Sequence, residues 1–247
     1  MTKRKSVRWA LVGVSAPAFV VLAHNALQGS DCSNVSHRPQ KGQMIRPHVP
    51  VHGTKASLGV SAGHIDGASP ARIYYGGPHI SKENLKTRGP QLGFFGTLGY
   101  VFDNNLYLGG EVGYLWANTK DTICDTTGNG MLECLTLKMG TSWDFVGHVG
   151  YAMSGFLPFI KFGAAVTKFK GEGSHGMPNP ASGSTSKYVS GFQVGAGIDI
   201  QLTDYLWGGL SYDYTWYPSF WYMISTVHNV KIHPRTNTVR LRLRTVF

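Results

Sequence analysis

Apolar and polar residues alternate along eight stretches of this chain, and the last stretch closes the sequence at 236–247. Apolar side chains lie on one face of this stretch and three arginines on the other: Val239, Leu241 and Leu243 against Arg240, Arg242 and Arg244. Strict alternation predicts a β-strand with two unlike faces. Three arginines on one face of a strand fit a narrow polar lumen better than they fit the solvent-exposed face of a soluble β-sandwich. The apolar face would then meet lipid.

The segments between the predicted strands alternate between long and short. Strands are predicted at about 55–65, 91–102, 106–116, 141–153, 157–169, 188–202, 205–216 and 236–247, with polar loops at 66–89, 117–140, 170–187 and 217–235. An even number of strands with short turns at one end is typical of a membrane barrel, and tilted strands of this length cross a bilayer. The sequence therefore predicts an all-β fold, an eight-stranded antiparallel up-and-down transmembrane β-barrel over 55–247, with long external loops and short periplasmic turns. A soluble barrel is disfavoured because its outward face would be polar.

The first 23 residues are predicted to be a signal peptide. Basic residues at positions 3, 4, 5 and 8 precede an apolar stretch from Trp9 to Ala23, and cleavage is expected before His24. A retained membrane anchor is the alternative, but the stretch is short of the roughly 20 residues that span a bilayer, and it contains Pro17. Residues 24–54 show no periodicity and are expected to form an irregular periplasmic segment.

Composition supports a chain that exposes much of its surface to hydrocarbon. Charged residues make up 15% of the sequence, against about 25% in soluble domains. The net charge is +10, of which the signal peptide holds +4, so the exported chain carries 10 − 4 = +6. This balance suggests anionic neighbours such as lipopolysaccharide phosphates. Nucleic acid is not an expected partner, because no basic stripe or nucleic-acid motif is present.

Two motifs carry a resemblance to a known family. The C-terminal pattern is similar to the signal that the barrel-assembly machinery reads, and its positions are Val239, Leu241, Leu243, Thr245 and Phe247. Thr245 stands where a hydrophobic residue is usual. The segment 157–166 resembles a strand that begins with proline and an aromatic residue in the proteins that carry this C-terminal signal. Together with the signal peptide and the loop lengths, these motifs resemble the eight-stranded outer-membrane barrels, which include the OmpA transmembrane domain and the OmpX, Opa and Omp25-like surface proteins.

The resemblance implies a location and a set of partners, but it does not choose a function, because one fold serves many functions. The expected location is the outer membrane of a Gram-negative bacterium. The expected partners are outer-membrane lipid, lipopolysaccharide and the assembly machinery, with a host or surface ligand reached through the external loops. No cofactor and no metal are expected.

A set of charged side chains is predicted to face the lumen. It contains four acids, four bases and one histidine: Glu111, Asp144, Asp199 and Asp213; Lys161, Arg240, Arg242 and Arg244; and His148. Buried charges must be paired or solvated, because isolated burial is costly. Eight strands leave an interior just wide enough for side chains. A salt-bridge plug is therefore favoured over a charged translocation path.

Other chemistry in the sequence is weaker. Cys124 and Cys134 have nine residues between them in one predicted loop, and a disulfide within that loop is the economical interpretation. Residues 59–63 match the G-x-S-x-G pattern around Ser61, but that motif needs a turn into a helix, and no helix pattern follows. His48 and His52 flank Pro50, so a helical pair of metal ligands is not expected.

The predicted loops hold the candidate binding residues. Six are basic and three are aromatic: Arg72, Lys82, Lys86, Arg88, Lys231 and Arg235; Phe220, Trp221 and Tyr222. Aromatic residues near the strand ends, such as Tyr100, Trp116 and Trp216, are expected to form girdles at the two membrane surfaces. An exposed apolar patch is often a binding site, although the aromatics of the last loop could instead extend the upper girdle into lipid. The expected function is a non-enzymatic surface protein for envelope integrity and loop-mediated adhesion. A narrow porin and a lipid-modifying enzyme are the alternatives.

Overall fold

The computed structural model describes residues 52–75, 80–126, 132–175, 182–223 and 228–247. The predicted signal peptide and nearly all of the predicted irregular segment lie outside these residues. The strands are β1 Gly53–Tyr75, β2 Ile80–Val101, β3 Leu106–Thr126, β4 Leu132–Tyr151, β5 Phe156–His175, β6 Ser182–Gln201, β7 Leu206–Trp216, β8 Phe220–Met223, β9 His228–Ile232 and β10 Arg235–Val246. Within the described ranges, no helix has the length and apolar character needed to cross a membrane.

The strands form a closed ring. Strands β1 to β7 pair antiparallel in sequence order, and β10 pairs with β7 on one side and with β1 on the other. The β1–β10 ladder runs from Ser57 opposite Val246 to Ala68 opposite Arg235. The Phe247 amide then donates to the Ala56 carbonyl over 2.8 Å. Closure removes the unpaired edges that hydrocarbon would not tolerate, and the prediction of an eight-stranded antiparallel barrel is confirmed.

Strands β8 and β9 continue β7 and β10 after short breaks at prolines. Pro218 follows β7 and Pro234 precedes β10, and a proline has no amide hydrogen to donate to a ladder. Two backbone bonds bridge the breaks: Tyr217 N donates to Pro234 O (3.2 Å), and His233 N donates to Pro70 O (3.1 Å). Beyond them, β9 pairs with both β8 and β1. The ring therefore consists of eight strands, two of which are interrupted.

A band of exposed apolar side chains surrounds the lower part of the ring, and aromatic residues border it as predicted. One border contains Phe94, Trp116, Trp143, Phe192 and Trp216, and the other contains Tyr100, Phe102, Tyr151, Phe156, Tyr205 and Phe247. We call the first border the upper girdle. Short turns join the strands at the lower border, where Asn105 (φ 64°) and Gly155 (φ 78°) take left-handed conformations. Such a band with two aromatic girdles is the lipid-facing surface of a membrane barrel.

Above the upper girdle the strands continue where loops were predicted. Strand β1 runs to Tyr75 and β2 begins at Ile80, so most of the predicted loop 66–89 is strand. The same holds for 117–140 and 170–187, and the predicted loop 217–235 contains β8 and β9. These segments were predicted to be loops, but most of their described residues continue the strands. Water replaces lipid at this height, so the outward positions become polar while the inward ones become apolar, and the strand pattern inverts.

This upper part, which we call the extension, separates into two sheets. The β2–β3 ladder ends at Gln91 opposite Ala117, and the β6–β7 ladder ends at Phe192 opposite Trp216. Beyond these pairs, one sheet has the order β8-β9-β1-β2 and the other β3-β4-β5-β6. Their inner faces share one apolar core, built from Ile65, Ala71, Leu85, Leu135, Leu137, Met139, Phe169, Val189, Tyr217, Phe220, Val230 and Ile232. The extension is thus packed as a small β-sandwich standing on a membrane barrel.

Candidate functional site

The three arginines of β10 lie in the lumen at successive inward positions. Arg240, Arg242 and Arg244 are each at most 7% exposed, because alternation along a strand sends every second side chain to the same face. Each binds at least one carboxylate from another strand. Arg240 binds Asp144 (3.0 Å) and Asp213 (2.5 Å), Arg242 binds Glu111, and Arg244 binds Asp199 (2.9 Å).

The remaining lumen charges join the same network. The Lys161 ammonium lies 2.7 Å from Asp213 Oδ1, so Asp213 is shared between a lysine and an arginine. His148 Nε2 lies 3.6 Å from Glu111 Oε2. All nine residues that the sequence assigned to the lumen are buried there. The four acids and four bases leave the network with no net formal charge, which limits the cost of burying so many ions.

Aromatic residues and glycines complete the network, and the sequence interpretation had missed them. The Arg242 guanidinium lies over Phe95 and Phe159, at 4.3 and 5.4 Å from the ring centroids. Arg244 lies 5.6 Å from the Trp207 centroid. A Cβ at Gly209 would overlap the Asp199 carboxylate, so only glycine leaves room for that acid. Their inward positions on the predicted strands could have identified these residues, but apolar side chains were expected mainly on the outward faces.

A second closure lies above the charged network. Phe169 is fully buried in the core of the extension and packs against Tyr217 and Phe220, with ring centroids 5.1 and 5.5 Å apart. The Thr167 and Tyr217 hydroxyls are hydrogen-bonded over 2.8 Å. Between this apolar cap and the charges lies a cavity of about 20 Å³, which is lined by residues that include Gln91, Gln193, Thr215 and Arg240. Such a space holds about one water molecule, so the lumen is filled at two levels of different chemistry.

The predicted binding residues lie on strands rather than on loops. Arg72 is on β1, Lys82, Lys86 and Arg88 are on β2, Lys231 is on β9 and Arg235 is on β10. Arg72, Lys86, Arg88 and Arg235 are exposed, and Lys231 is half-buried with its ammonium over the Trp221 ring at 5.6 Å. The side chain of Lys82 lies outside the described residues. The basic residues of two predicted loops are therefore gathered on adjoining strands.

The predicted aromatic patch is divided between two faces of β8. Phe220 is 5% exposed and belongs to the apolar core, whereas Trp221 is 50% exposed. The expectation that Phe220 forms part of an exposed patch was wrong, because neighbouring residues of a strand point to opposite faces. The side chain of Tyr222 lies outside the described residues. Trp221 alone keeps the outward position that the sequence assigned to it.

Two further features predicted from the sequence, the disulfide and the motif around Ser61, lie within regular strands. Cys124 and Cys134 lie directly opposite each other near the end of the β3–β4 hairpin and form a disulfide. Ser61 is buried in the middle of β1, opposite Arg242 on β10 and Gly93 on β2. A nucleophile elbow requires a sharp turn from a strand into a helix. The continuous strand around Ser61 does not provide that geometry.

In one ion-pair cluster on the extension, the neighbouring lysines lower the pKa of the Glu172 carboxyl group. The Glu172 carboxylate accepts from Lys138 (2.7 and 2.8 Å) and lies 2.9 Å from the Lys170 ammonium. Lys138 and Lys170 are directly opposite each other on β4 and β5. The hydrogen bonds from these two lysines lower the pKa of Glu172 to about 2. The acid thus neutralises a cross-strand pair of like charges.

The comparison with known families agrees with this geometry. The family model described as "Outer membrane protein beta-barrel domain" matches residues 49–241, which is well over half of the chain. The chain belongs to this family. Its location is therefore the outer membrane of a Gram-negative bacterium, and the extension lies on the external side, opposite the short periplasmic turns.

Similar proteins extend the comparison. The chain is 29% identical to the "25 kDa outer-membrane immunogenic protein" of Brucella canis over 108 residues, which are 44% of this chain and 42% of that protein. The protein of the same name from Brucella ovis is also 29% identical over 108 residues and is covered over 45% of its length. The match thus spans less than half of these curated relatives.

Two solved structures share the fold at low identity. The outer membrane protein OprG of Pseudomonas aeruginosa has a TM-score of 0.52 at 13% identity, with 79% of this chain and 97% of that chain covered. The outer membrane protease OmpT of Escherichia coli has a TM-score of 0.53 at 9% identity, with 78% and 97% covered. At such identities the likeness shows the barrel fold alone.

Proposed function

We propose that this protein is a non-enzymatic surface protein whose barrel is closed to solutes and holds a folded extension outside the cell. The observation that carries the proposal is the double closure of the lumen, by a charged network within the membrane and by an apolar core above it. Its role is to support the envelope and to present outward strand surfaces for contact. The curated relatives named as immunogenic outer-membrane proteins are consistent with such a display.

The alternatives predicted from the sequence find less support in the geometry. A narrow porin needs a continuous wet path, whereas the space between the two closures is about 20 Å³. The other alternative is a lipid-modifying enzyme, and the hydrolase-like motif in the sequence does not support it, because Ser61 is buried within a continuous strand and not at a nucleophile elbow. The closed surface protein therefore fits the described residues better than either alternative.

The test is conductance of the folded full-length protein in planar bilayers. We expect the wild type to show no steady open-channel current in either direction of applied voltage. The double variant Arg240→Ala/Phe169→Ala removes one residue from each closure and should produce frequent current steps. The single variants should each leak less than the double variant, because one closure remains in each. Steady conductance in the wild type would overturn the proposal in favour of a porin.

Display is tested separately in intact cells. A peptide tag inserted in the β5–β6 connection at 176–181 should be labelled by an antibody without permeabilising the cells. A matched tag in the turn at Asp103–Asn105 should be labelled only after permeabilisation, because that turn lies at the opposite end of the barrel. Equal labelling of the two tags in intact cells would contradict the orientation.

A further inference from the structure

Four adjacent strands carry a graded outer surface. On β7, β10, β1 and β2, residues that lie directly opposite one another form outward rungs across the sheet. One rung within the membrane is entirely apolar: Leu210, Leu241, Ala62 and Leu92. Two rungs higher the composition is Tyr214, Asn237, Asp66 and Arg88, and the next rung contains Trp216, Arg235, Ala68 and Lys86. The surface thus changes from apolar to aromatic to basic along the same strands.

The basic character continues above this level. In the extension β8 and β9 replace β7 and β10, and Trp221, Lys231 and Arg72 form an outward rung. On β2, Lys82 lies opposite Arg72 in the backbone register. We call Arg72, Lys86, Lys231 and Arg235 the basic face. These residues come from two distant parts of the sequence and meet because β1 pairs with β2 on one side and with β9 and β10 on the other.

No described carboxylate forms an ion pair with the side chains of the basic face. Two acids lie nearby: Asp66, one rung below, is bound by Arg88 over 2.9 Å, and Asp121 of β3 accepts from the backbone amide of Lys86 over 2.6 Å. Like charges on neighbouring strands destabilise a sheet. Elsewhere in the extension, Glu172 pairs with both Lys138 and Lys170. No described carboxylate pairs in this way with the side chains of the basic face, which points to an anion supplied from outside.

The height of the basic face above the lipid-facing band identifies the nearest anions. Arg235 lies directly opposite Trp216 of the upper girdle. Each rung rises by two residues, which is roughly 5 Å along the membrane normal for a strand tilted by about 40°. The polar layer of a bilayer is about 5–7 Å thick on each side. Arg235 and Lys86 therefore lie at headgroup level, and Arg72 and Lys231 lie about 10 Å farther out.

We propose that the basic face binds the phosphate groups of lipopolysaccharide in the outer leaflet. Arg235 and Lys86 contact the phosphates nearest to the acyl chains, with the Trp216 ring against the lipid. Arg72 and Lys231 contact anionic groups farther out, and the stacking of Lys231 on Trp221 holds its ammonium outward. This site is independent of the closed lumen, so it goes beyond the proposed function. A sulfated polysaccharide is the competing partner, and it lacks the acyl chains that the apolar rungs below accommodate.

The experiment measures binding of purified lipopolysaccharide to the folded full-length protein in zwitterionic detergent. The test variant is Lys86→Gln/Arg235→Gln. The matched control is Lys120→Gln/Lys187→Gln, which removes the same charge from exposed residues of the other sheet. We expect the test variant to bind about tenfold or more weakly, since each cation near an anionic surface contributes substantially. The control should stay within about twofold of the wild type, and the difference should shrink as salt shortens the screening length.

Two further probes make the proposal falsifiable. Dephosphorylated lipopolysaccharide should bind the wild type about as weakly as intact lipopolysaccharide binds the test variant. Heparin should bind less tightly than lipopolysaccharide. Equal affinities of the test variant and the wild type, or equal losses in test and control, would overturn the proposal. A preference of the basic face for heparin would also overturn it, in favour of a soluble acidic polymer. Retained heat-modifiable migration shows that each variant is folded.

Discussion

Arg242 illustrates how a single charged residue is held inside the barrel. Its guanidinium binds Glu111 and lies 4.3 Å from the centroid of Phe95. Glu111 is also 3.6 Å from His148. Removing one member of a buried ion pair leaves an uncompensated charge, which costs more than replacing both members by neutral groups. The neighbours of Arg242 therefore determine what its loss would do.

We expect Arg242→Ala to destabilise the folded barrel by about 3–5 kcal/mol. The double variant Arg242→Met/Glu111→Gln should recover a large part of that loss, because no unpaired charge remains. The free energy of unfolding is measured by urea titration in lipid vesicles. Exposed Lys187→Ala is the control and should be close to neutral. If the double variant were as unstable as the single one, pairing of charges would not be the source of the stability.

Glu172 gives a prediction for the dependence on pH. Its pKa is lowered to about 2 by Lys138 and Lys170, so the folded state favours the charged form. The contribution to stability is therefore complete above the ordinary pKa of about 4.5 and is lost as the pH falls towards 2. Carboxyl NMR titration should show this low pKa in the wild type and a value nearer 4.5 in Lys138→Gln. Lys86→Gln, on an exposed residue of the other sheet, should leave it unchanged. An ordinary pKa of Glu172 in the wild type would exclude the cluster.

At the scale of elements, the strands within the membrane were predictable and those of the extension were not. Around Leu241 and Arg242 the strand lies in lipid, so its apolar residues face outward and its charged residues face the lumen. Around Leu85 and Phe169 the apolar residues face inward, and the polar outward residues made the segments resemble loops. The breaks at Pro218 and Pro234 strengthened that impression. The basic face could not be predicted as a surface, because the register that joins Arg72 to Lys231 is a tertiary property.

We expect the extension to unfold independently of the membrane barrel when its core is destabilised. Phe169→Ala removes a fully buried ring, and such a loss costs about 3–5 kcal/mol when the surroundings cannot collapse. We expect faster proteolysis of the external strand ends in intact cells, with an unchanged protected membrane fragment. Phe162→Ala on the same strand is the matched control, because that side chain faces lipid. Loss of the protected fragment in Phe169→Ala would show that the two parts unfold together.

At the scale of the whole molecule, the C-terminal residue closes the ring. The Phe247 amide binds the Ala56 carbonyl, and its side chain is 73% exposed on the lipid-facing surface. The sequence resembles the signal that the assembly machinery reads at this position. The residue therefore serves the ladder through its backbone and remains available to a partner through its ring.

Deleting Phe247 should reduce the amount of assembled barrel much more than deleting residues 24–51. The heat-modifiable band in outer-membrane fractions measures assembly. Phe247→Tyr is a conservative control and should assemble well, because the aromatic ring and the backbone bond both remain. Normal assembly after deletion of Phe247 would show that neither the ring nor this last bond is needed.

The inverted pattern of the extension has a consequence for how its surface can vary between strains. Inward positions such as Leu85 and Phe169 are fixed by the core, whereas an exposed outward neighbour such as Asn84 does not contribute to that core. Pressure from antibodies would therefore act on every second residue. Antigenic variation along these strands should follow a period of two. It should be interrupted only where an outward side chain such as Arg235 is constrained by the binding proposed for it.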